Sequence, residues 1–341
     1  MSAQQTKTMI TVIPGDGIGP ELITETLRCL DALDCGFEYE FKQAGLVALD
    51  ESGELIPQDT LDSIRRNRIV LKGPLTTPIG EGFSSINVSL RKEFDLYANV
   101  RPVISMPGTR SRYEDIDIIT VRENTQGAYL ALGSKISEDG ETAESKMVVT
   151  RTGCARVTHY AFKLARSAGR KKVTIVHKAN ILKTVSGMFL DVAREVAKQY
   201  PDIEHDEMIV DAVCMKLVMD PWQFDVIVTT NLFGDIISDL CAGLIGGLGL
   251  APGANIGDQA AMFEAVHGSA PDIAGLHIAN PCALMLGAAQ MLTHLGMDER
   301  ARKLRAAIRE TIANADRVTP DLGGNGTTTT ITDAIIERLL A

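Results

Sequence analysis

Short apolar runs and amphipathic segments alternate along most of the chain. The apolar runs are typical of buried strands, and they cover 9–13, 173–177 and 225–230. The amphipathic segments repeat apolar residues at helical spacing, and they predict helices over 21–33, 154–168 and 186–200. Such alternation predicts an α/β fold with a largely parallel sheet. We find no internal repeat and no low-complexity linker.

Composition and charge narrow the class of protein. The chain has 341 residues, 45% of them hydrophobic, which is enough for one large domain or two ordinary ones. The 34 Lys and Arg against 44 Asp and Glu give a net charge of −10. This balance argues against nucleic-acid or membrane partners, which need basic surface, but a local arginine cluster can still bind an anion.

The cysteine pattern and the start of the chain favour the cytoplasm. The six cysteines show no metal-finger spacing, so we expect buried, reduced thiols. The polar first residues pass directly into a strand-like run, which predicts no signal peptide.

A glycine-rich turn at 15–20 follows the first predicted strand and opens a helix. Its spacing fails the dinucleotide-binding fingerprint, because Pro20 stands where G-x-G-x-x-G has its third glycine. We therefore predict a turn and a helix start, with Pro20 and Glu21 as N-terminal signals.

Asp235 and Asp239 lie four residues apart on a predicted helix and share a face. Like charges at that spacing cost about 0.2–0.5 kcal/mol in an isolated helix. No Lys or Arg occurs between Lys216 and Arg300, although nine carboxylates do. A divalent cation such as Mg²⁺ or Mn²⁺ would relieve this repulsion. The alternative is a solvated acidic face, which the surrounding apolar residues disfavour.

Arg91, Arg101 and Arg122 form a basic set within about thirty residues, and arginine binds carboxylates bidentately. From the residues alone, ordinary surface arginines are an equal alternative. Lys178, at a strand end, can act in proton transfer when burial lowers its pKa, and Tyr129 is a further proton donor.

The segment 263–281 predicts a loop rich in small residues, which let a ligand approach the backbone. It contains His267, Asp272 and Asn280. An Asp beside an adenosine ribose accepts its hydroxyls and repels a 2′-phosphate. An ordinary surface turn is the alternative.

These segments together resemble one family, the β-decarboxylating dehydrogenases of isocitrate, isopropylmalate, homoisocitrate and tartrate. The resemblance covers essentially the whole chain, and it rests on IPGDGIGPE (13–21), KGPLTTPIGEG (72–82), LYANVRP (96–102), RENTQGAY (122–129), VHKAN (176–180), NLFGDIISDLCAGLIGGLGLAPGANIG (231–257), HGSAPDIAG (267–275) and TPDLGGNGTT (319–328).

The resemblance implies that family's two-domain α/β fold, with a large mixed sheet flanked by helices and not a Rossmann fold. It implies a discontinuous large cofactor-binding domain, 1–98 plus 250–341. The small domain, 99–249, would carry the metal-site and dimer-interface residues.

The resemblance also implies roles for individual residues. Tyr129 and Lys178 would be catalytic, and Asp211, Asp235 and Asp239 would ligate Mg²⁺ or Mn²⁺. The substrate-binding residues would be Thr77, Ser85, Asn87, Arg91, Arg101 and Arg122. The cofactor-binding residues would be Lys72, Thr77, Asn180, His267, Gly268, Ala270, Asp272, Ile273 and Asn280. Lys178 and Asp211 would come from the neighbouring subunit, which requires a homodimer or a higher homo-oligomer with shared active sites.

Two positions favour particular ligands within the family. Ser85 and Asn87 match positions where isocitrate enzymes hydrogen-bond the third carboxylate, so isocitrate is the expected substrate. NADP-linked relatives place Lys-Tyr where this chain has Asp272-Ile273, so NAD is the expected cofactor.

Two departures from the family pattern leave other assignments open. Gln126 replaces the acid of the usual ENTEG, and Leu130-Ala131 replaces Ser-Gly after Tyr129. The Gln removes a charge that we expect near Tyr129. The alternatives are a homoisocitrate or 3-isopropylmalate dehydrogenase, and a non-catalytic regulatory subunit.

Overall fold

A computed structural model of the chain describes residues 8–78, 85–315 and 317–341. In chain order its strands are β1 (Thr8–Ile13), β2 (Phe37–Phe41), β3 (Ile69–Lys72), β4 (Ala98–Ile104), β5 (Asp117–Glu123), β6 (Gly127–Ile136), β7 (Ala143–Val148), β8 (Lys172–His177), β9 (Glu204–Ile209), β10 (Val226–Thr229), β11 (Pro252–Ile256) and β12 (Ala261–Ala265). Its helices are α1 (Gly19–Ala32), α2 (Leu46–Ser52), α3 (Gln58–Asn67), α4 (Ile86–Glu93), α5 (Arg151–Ser167), α6 (Val185–Ala197), α7 (Val210–Met219), α8 (Asn231–Leu244), α9 (Cys282–His294), α10 (Asp298–Ala313) and α11 (Thr328–Leu340).

Ten strands form one sheet in the order β2-β1-β3-β12-β11-β4-β5-β10-β8-β9. The block β2-β1-β3-β12 is parallel, and so is the block β5-β10-β8-β9. Between them β11 and β4 pair antiparallel with each neighbour. The two parallel blocks therefore run in opposite directions. The remaining strands, β6 and β7, form a separate two-stranded arm.

Helices cover both faces of this sheet. Among them, α8 packs on β4 and β5, while α9 packs on β11 and β12 beside α1 and α10. The observed α/β architecture with a large mixed sheet confirms the predicted fold class. The domain boundaries near 98 and 250 stay a prediction, because the sheet runs across them without a break.

The glycine-rich turn is structural, as the failed fingerprint predicts. Gly15 and Gly17 have φ of +78° and +59°, and a Cβ at either position would overlap a backbone carbonyl oxygen. The Asp16 carboxylate accepts hydrogen bonds from the backbone N–H of Leu46 at 2.9 Å and Thr76 at 2.7 Å. The turn thus ties the start of α1 to two other segments.

The predicted thiol state is also observed. All six cysteines are free, and only Cys214 is partly exposed. Burial raises the pKa of Cys241 to about 12, so this thiol stays protonated. In the described part of the chain no helix has the length and apolar character needed to span a membrane.

Candidate active site

Arg101 and Arg122 project from neighbouring strands towards α8. In the antiparallel pair β4–β5, Asn99 is opposite Arg122 and Arg101 is opposite Thr120, so these side chains share a face. Arg122 is 1% exposed and Arg101 is 7% exposed. They are buried groups of a site, and the alternative of ordinary surface arginines is wrong for both.

These arginines compensate the acidic pair of α8. Arg122 forms an ion pair with Asp235. Arg101 lies 3.4 Å from both Asp235 and Asp239, and donates a hydrogen bond to Ser238 Oγ at 2.7 Å. The argument that Asp235 and Asp239 need a cation because no Lys or Arg lies near them in the sequence is therefore wrong. Strands more than a hundred residues away supply the positive charge. The carboxylates remain a candidate metal site on their chemistry.

Gly234 allows Arg122 to approach the helix. A Cβ at Gly234 would lie 2.5 Å from Cγ and 2.6 Å from Cβ of Arg122. Asn231, one turn earlier, accepts from Arg122 Nη2 at 2.7 Å. The guanidinium lies 4.9 Å from the ring centre of Tyr129.

Tyr129, at the start of the arm, donates a hydrogen bond to Asp235 Oδ2. Burial and this hydrogen bond raise the pKa of Tyr129, so its hydroxyl is protonated at neutral pH. Burial opposes the charge of Asp235, but Arg122, Tyr129 and Arg101 lower its pKa below the usual value. The pKa of Asp239 is raised, chiefly by burial and also by Asp235. The group combines a protonated phenol, a charged carboxylate and a second carboxylate that lacks full compensation.

Glu264 is a central residue that the sequence analysis missed. It is 6% exposed, accepts from Lys72 Nζ at 2.7 Å, and lies 3.5 Å from Arg91. Burial would raise its pKa, but Lys72 and Arg91 lower the pKa of Glu264 to about 2. An acid in the otherwise apolar strand AMFEA was the signal that could have revealed it.

Two buried amides connect Glu264 to the arginine on β4. Asn255 donates to Glu264 Oε1 at 2.7 Å and accepts from Asn99 at 2.8 Å. Asn99 in turn accepts from Arg101 Nε at 2.6 Å. Because each amide is fixed at both ends, this chain holds the Arg101 guanidinium in one orientation.

Lys72, a predicted cofactor-binding residue, is buried and paired in this structure. Its side chain is 2% exposed, and its ammonium is committed to Glu264 and to the backbone carbonyl of Gly73 at 2.9 Å. It therefore presents no open cofactor-binding surface in this arrangement, because a buried cation is paired with the nearest buried anion. Arg91 also lies beside Glu264, and it projects from the buried face of α4.

The residues that we expect to select the substrate lie at the start of α4. Ser85 is exposed and precedes the helix, whereas the Asn87 amide oxygen is buried with no partner among the described residues. Thr77 Oγ1 accepts from the backbone N–H of Ile86 at 3.2 Å. Residues 79–82 of the motif KGPLTTPIGEG lie outside the described residues.

Lys178 and Asp211 form a pair of their own. They follow the neighbouring parallel strands β8 and β9, whose last residues His177 and Ile209 are paired. Lys178 is partly exposed and donates a hydrogen bond to Asp211. This hydrogen bond, together with a backbone hydrogen bond, lowers the pKa of Asp211. In the parts of the chain described here, no three acidic, His or Cys residues are grouped as a metal site. One chain thus does not bring Asp211 to Asp235 and Asp239.

A cavity of about 470 Å³ lies beside the predicted cofactor loop. Its lining includes five predicted cofactor residues, His267, Gly268, Ala270, Ile273 and Asn280. Asp272 is exposed and does not line it, and Asn180 is exposed on the loop after β8. Burial lowers the pKa of His267, which is therefore neutral at pH 7.

Asp321 is a second residue that the sequence analysis did not single out. It lines the cavity and accepts from Asn280 Nδ2 at 2.9 Å. Gly249 leaves room for it, since a Cβ there would lie 2.9 Å from Asp321 Oδ2.

Residues 9–336 match the model of the isocitrate/isopropylmalate dehydrogenase family. The chain belongs to this family. The match spans nearly all described elements, so the chain is a dehydrogenase built on this family's fold.

Three relatives show where it stands within the family. It is 48% identical to the mitochondrial NAD isocitrate dehydrogenase catalytic subunit 5 of Arabidopsis thaliana, over 96% of this chain and 88% of that one. It is 49% identical to the 3-isopropylmalate dehydrogenase of Archaeoglobus fulgidus, over 93% and 94%. The crystal structure of isocitrate dehydrogenase from Methylococcus capsulatus matches with a TM-score of 0.95 and 53% identity, covering 98% and 99%. The relatives therefore include both isocitrate and 3-isopropylmalate dehydrogenases.

Gln126, one of the two departures from the family pattern, has hydrogen-bond partners in the structure. In this dehydrogenase the Gln126 side chain contacts the start of α5, where its amide oxygen accepts from Thr150 N at 2.8 Å and its nitrogen donates to Thr150 Oγ1 at 2.9 Å. Both amide atoms are therefore used at the helix N-terminus, and the loss of a charge near Tyr129 stays a prediction.

Proposed function

We propose that this dehydrogenase catalyses NAD-dependent oxidative decarboxylation of isocitrate to 2-oxoglutarate and CO₂, with Mg²⁺ or Mn²⁺. The observation that carries the proposal is the buried set Arg91, Arg101 and Arg122 beside Tyr129 and the α8 carboxylates. Buried guanidinium groups select anionic oxygens, and a tricarboxylate offers one carboxylate to each.

The donor set fits a hard divalent cation. Asp235 and Asp239 offer oxygen ligands on successive turns. The raised pKa of Asp239 indicates that its negative charge is not fully compensated within the protein, and a bound cation would stabilise that charge. Asp211 of a second subunit would complete the set. When bound, the cation supplies electrophilic stabilisation of negative charge on the substrate C2 oxygen.

The chain's own residues would handle the protons. Lys178, acting through Asp211 or water, would assist loss of the C2 hydroxyl proton to that base as hydride is transferred to NAD. Tyr129 then donates its hydroxyl proton to the carbon that has lost CO₂. Its raised pKa supports this role, since the phenol is fully protonated before the step.

The cofactor assignment rests on the cavity and on the loop beside it. His267, Gly268 and Asn280 would contact NAD in the cavity, and Asp272 would disfavour the 2′-phosphate of NADP by charge repulsion. We further propose a homo-oligomer, at least a dimer, located in the cytoplasm. The free, mostly buried thiols are in keeping with that compartment.

Parallel assays test the substrate assignment. The purified chain is given NAD and Mg²⁺ or Mn²⁺ with isocitrate, homoisocitrate or 3-isopropylmalate, and NADH formation is followed. We expect the highest kcat/KM on isocitrate and little turnover with NADP. A higher kcat/KM on either other acid refutes the proposal.

3-Isopropylmalate is the second candidate, because the Archaeoglobus fulgidus relative, at 49% identity, is as similar to this chain as the Arabidopsis thaliana isocitrate dehydrogenase subunit at 48%. A Tyr129→Phe variant, expected to lose most turnover on the true substrate, is the control for a contaminating dehydrogenase. Absence of turnover by the single chain until another subunit is added favours the regulatory-subunit alternative.

A further inference from the structure

A second cavity, of about 700 Å³, lies on the face of the sheet opposite the arginine site. We call it the back cavity, and it is bounded by β4, β5, β11, α5, α9 and α10. Its floor is apolar and mainly aliphatic, and it includes Val100, Pro102, Ile119, Leu286 and Phe263. This volume is within the range of small-molecule sites.

The back cavity is separated from the substrate site by one layer of sheet. Successive side chains of a strand point to opposite faces. On β4, Asn99 and Arg101 face α8, whereas Val100 and Pro102 line the back cavity. None of the predicted substrate or metal residues lines it, so an occupant there leaves the arginine site free.

The rim on α10 is basic. Arg302, Arg305 and Arg309 recur at helical spacing and all line the cavity. Arg305 is engaged with Ala289 O at 3.1 Å and Thr293 Oγ1 at 2.9 Å. Arg302 and Arg309 are exposed and form no hydrogen bond or ion pair with any described residue.

Other charges at the cavity are accounted for within the fold. Arg170 is paired with Asp117 and with Asp225, the latter at 3.0 Å. Asp298, the acid in the lining, acts on Arg305. Gln290 also lines the cavity, and its buried amide oxygen has no partner among the described residues. Rotating that amide would present an N–H to an anionic oxygen.

We propose that the back cavity binds an aliphatic carboxylate of medium or long chain length. The chain would cover the apolar floor, and the carboxylate would be bound by Arg302 and Arg309 at the rim. Charge complementarity selects the anionic end, and the aliphatic floor rejects small polycarboxylates, whose further charges would be buried without partners.

Isothermal titration of the full-length dehydrogenase with decanoate tests the proposal. We expect saturable binding at one site per chain. Arg302→Gln with Arg309→Gln should weaken it at least tenfold, and Ala306→Trp, which fills the cavity from α10, should abolish it. Lys303→Gln on the same helix, outside the lining, is the matched control and should bind as the wild type does.

Two further titrations identify where decanoate binds and which of its chemical groups is recognised. Decanol should bind with an affinity that the double Arg variant leaves unchanged, since it has the chain without the charge. Decanoate should also bind equally well in saturating isocitrate and Mg²⁺. Displacement by isocitrate would place decanoate at the substrate arginines and refute the proposal. Absence of saturable binding, or unchanged binding by the double variant with a wild-type melting temperature, would refute it equally.

Discussion

Gly234 of α8 lies against the side chain of Arg122, and a Cβ there would stand 2.5 Å from Arg122 Cγ. We predict that Gly234→Ala lowers kcat/KM at least tenfold, because the added Cβ would displace Arg122 from Asp235. It should also lower the free energy of unfolding by about 1–3 kcal/mol through overpacking. Steady-state kinetics and urea unfolding measure both effects.

Gly243 offers the matched control on the same helix. A Cβ there would meet no atom within 4 Å. Gly243→Ala should therefore keep full activity and gain up to about 1 kcal/mol of stability from helix propensity. Equal behaviour of the two variants would contradict the role given to Gly234.

The low pKa of the buried Glu264 carboxylate predicts that the stability of the fold depends on pH. Its folded pKa of about 2 is below its ordinary 4.5, so its contribution is present above pH 4.5 and is lost as pH falls towards 2. Glu264→Gln leaves Lys72 and Arg91 without their buried anion, and should cost on the order of 3 kcal/mol at pH 7.

Denaturant unfolding between pH 5 and pH 3 measures this effect. The wild type should lose stability more steeply than Glu264→Gln over that range. Glu310→Gln, on an exposed residue of α10, should follow the wild type. Parallel slopes for the wild type and Glu264→Gln would argue against a charged Glu264.

Asp272 and Ile273 predict the choice of cofactor. Asp272→Lys combined with Ile273→Tyr should reduce kcat/KM with NAD and raise it with NADP, because a cation would replace a carboxylate at the proposed ribose site. An unchanged NAD-to-NADP ratio of kcat/KM would show that this loop does not decide between the two cofactors.

At the scale of elements, local pattern predicted the existence and type of helices and strands well. The predicted helix 154–168 is observed as Arg151–Ser167. It begins earlier because Thr150 caps it, accepting from Gly153 N at 3.0 Å. The helix predicted to reach residue 200 ends at Ala197, and tighter backbone turns follow it.

Strand pairing was beyond local pattern. The antiparallel strands β4 and β11 pair Asn99 with Asn255, 156 residues apart, and the two side chains form a buried hydrogen bond. Compensation of Asp235 by Arg101 likewise depends on this pairing. Residues of the candidate site were named from motifs, and an acid in an apolar strand could have revealed Glu264, but its partner Asn255 and the contact of Asp321 with Asn280 depend on distant strands and loops meeting.

The exposed apolar face of helix α7 predicts a contact between subunits. Its exposed face holds Met215, Val218 and Met219, with Met219 71% exposed, and Trp222 follows at 55%. Met215→Lys with Met219→Lys should shift the protein to monomer in light scattering and remove turnover. Leu340→Lys, at an equally exposed apolar site on α11, should change neither property. A stable dimer in the α7 variant would exclude this face.

At the scale of the whole molecule, the proposed shared site predicts complementation. Lys178→Met and Asp235→Asn chains should each be inactive alone. After mixing and subunit exchange, half the dimers are mixed and each has one intact site, so activity should return to about a quarter of the wild type.

Each variant taken through the same exchange by itself is the control and should stay inactive. Absence of recovery, with mixed dimers present in native mass spectra, would place both residues in a site formed by one chain.

Strand direction bears on why two chains would be needed. His267 follows β12 and Lys178 follows β8, and these strands belong to blocks that run in opposite directions. The two residues therefore lie beyond opposite ends of the sheet, and five strand spacings add about 24 Å across it. A hinge that leaves the strand ladder intact cannot exchange the ends of a sheet, so only another molecule can bring such a lysine to the cofactor side.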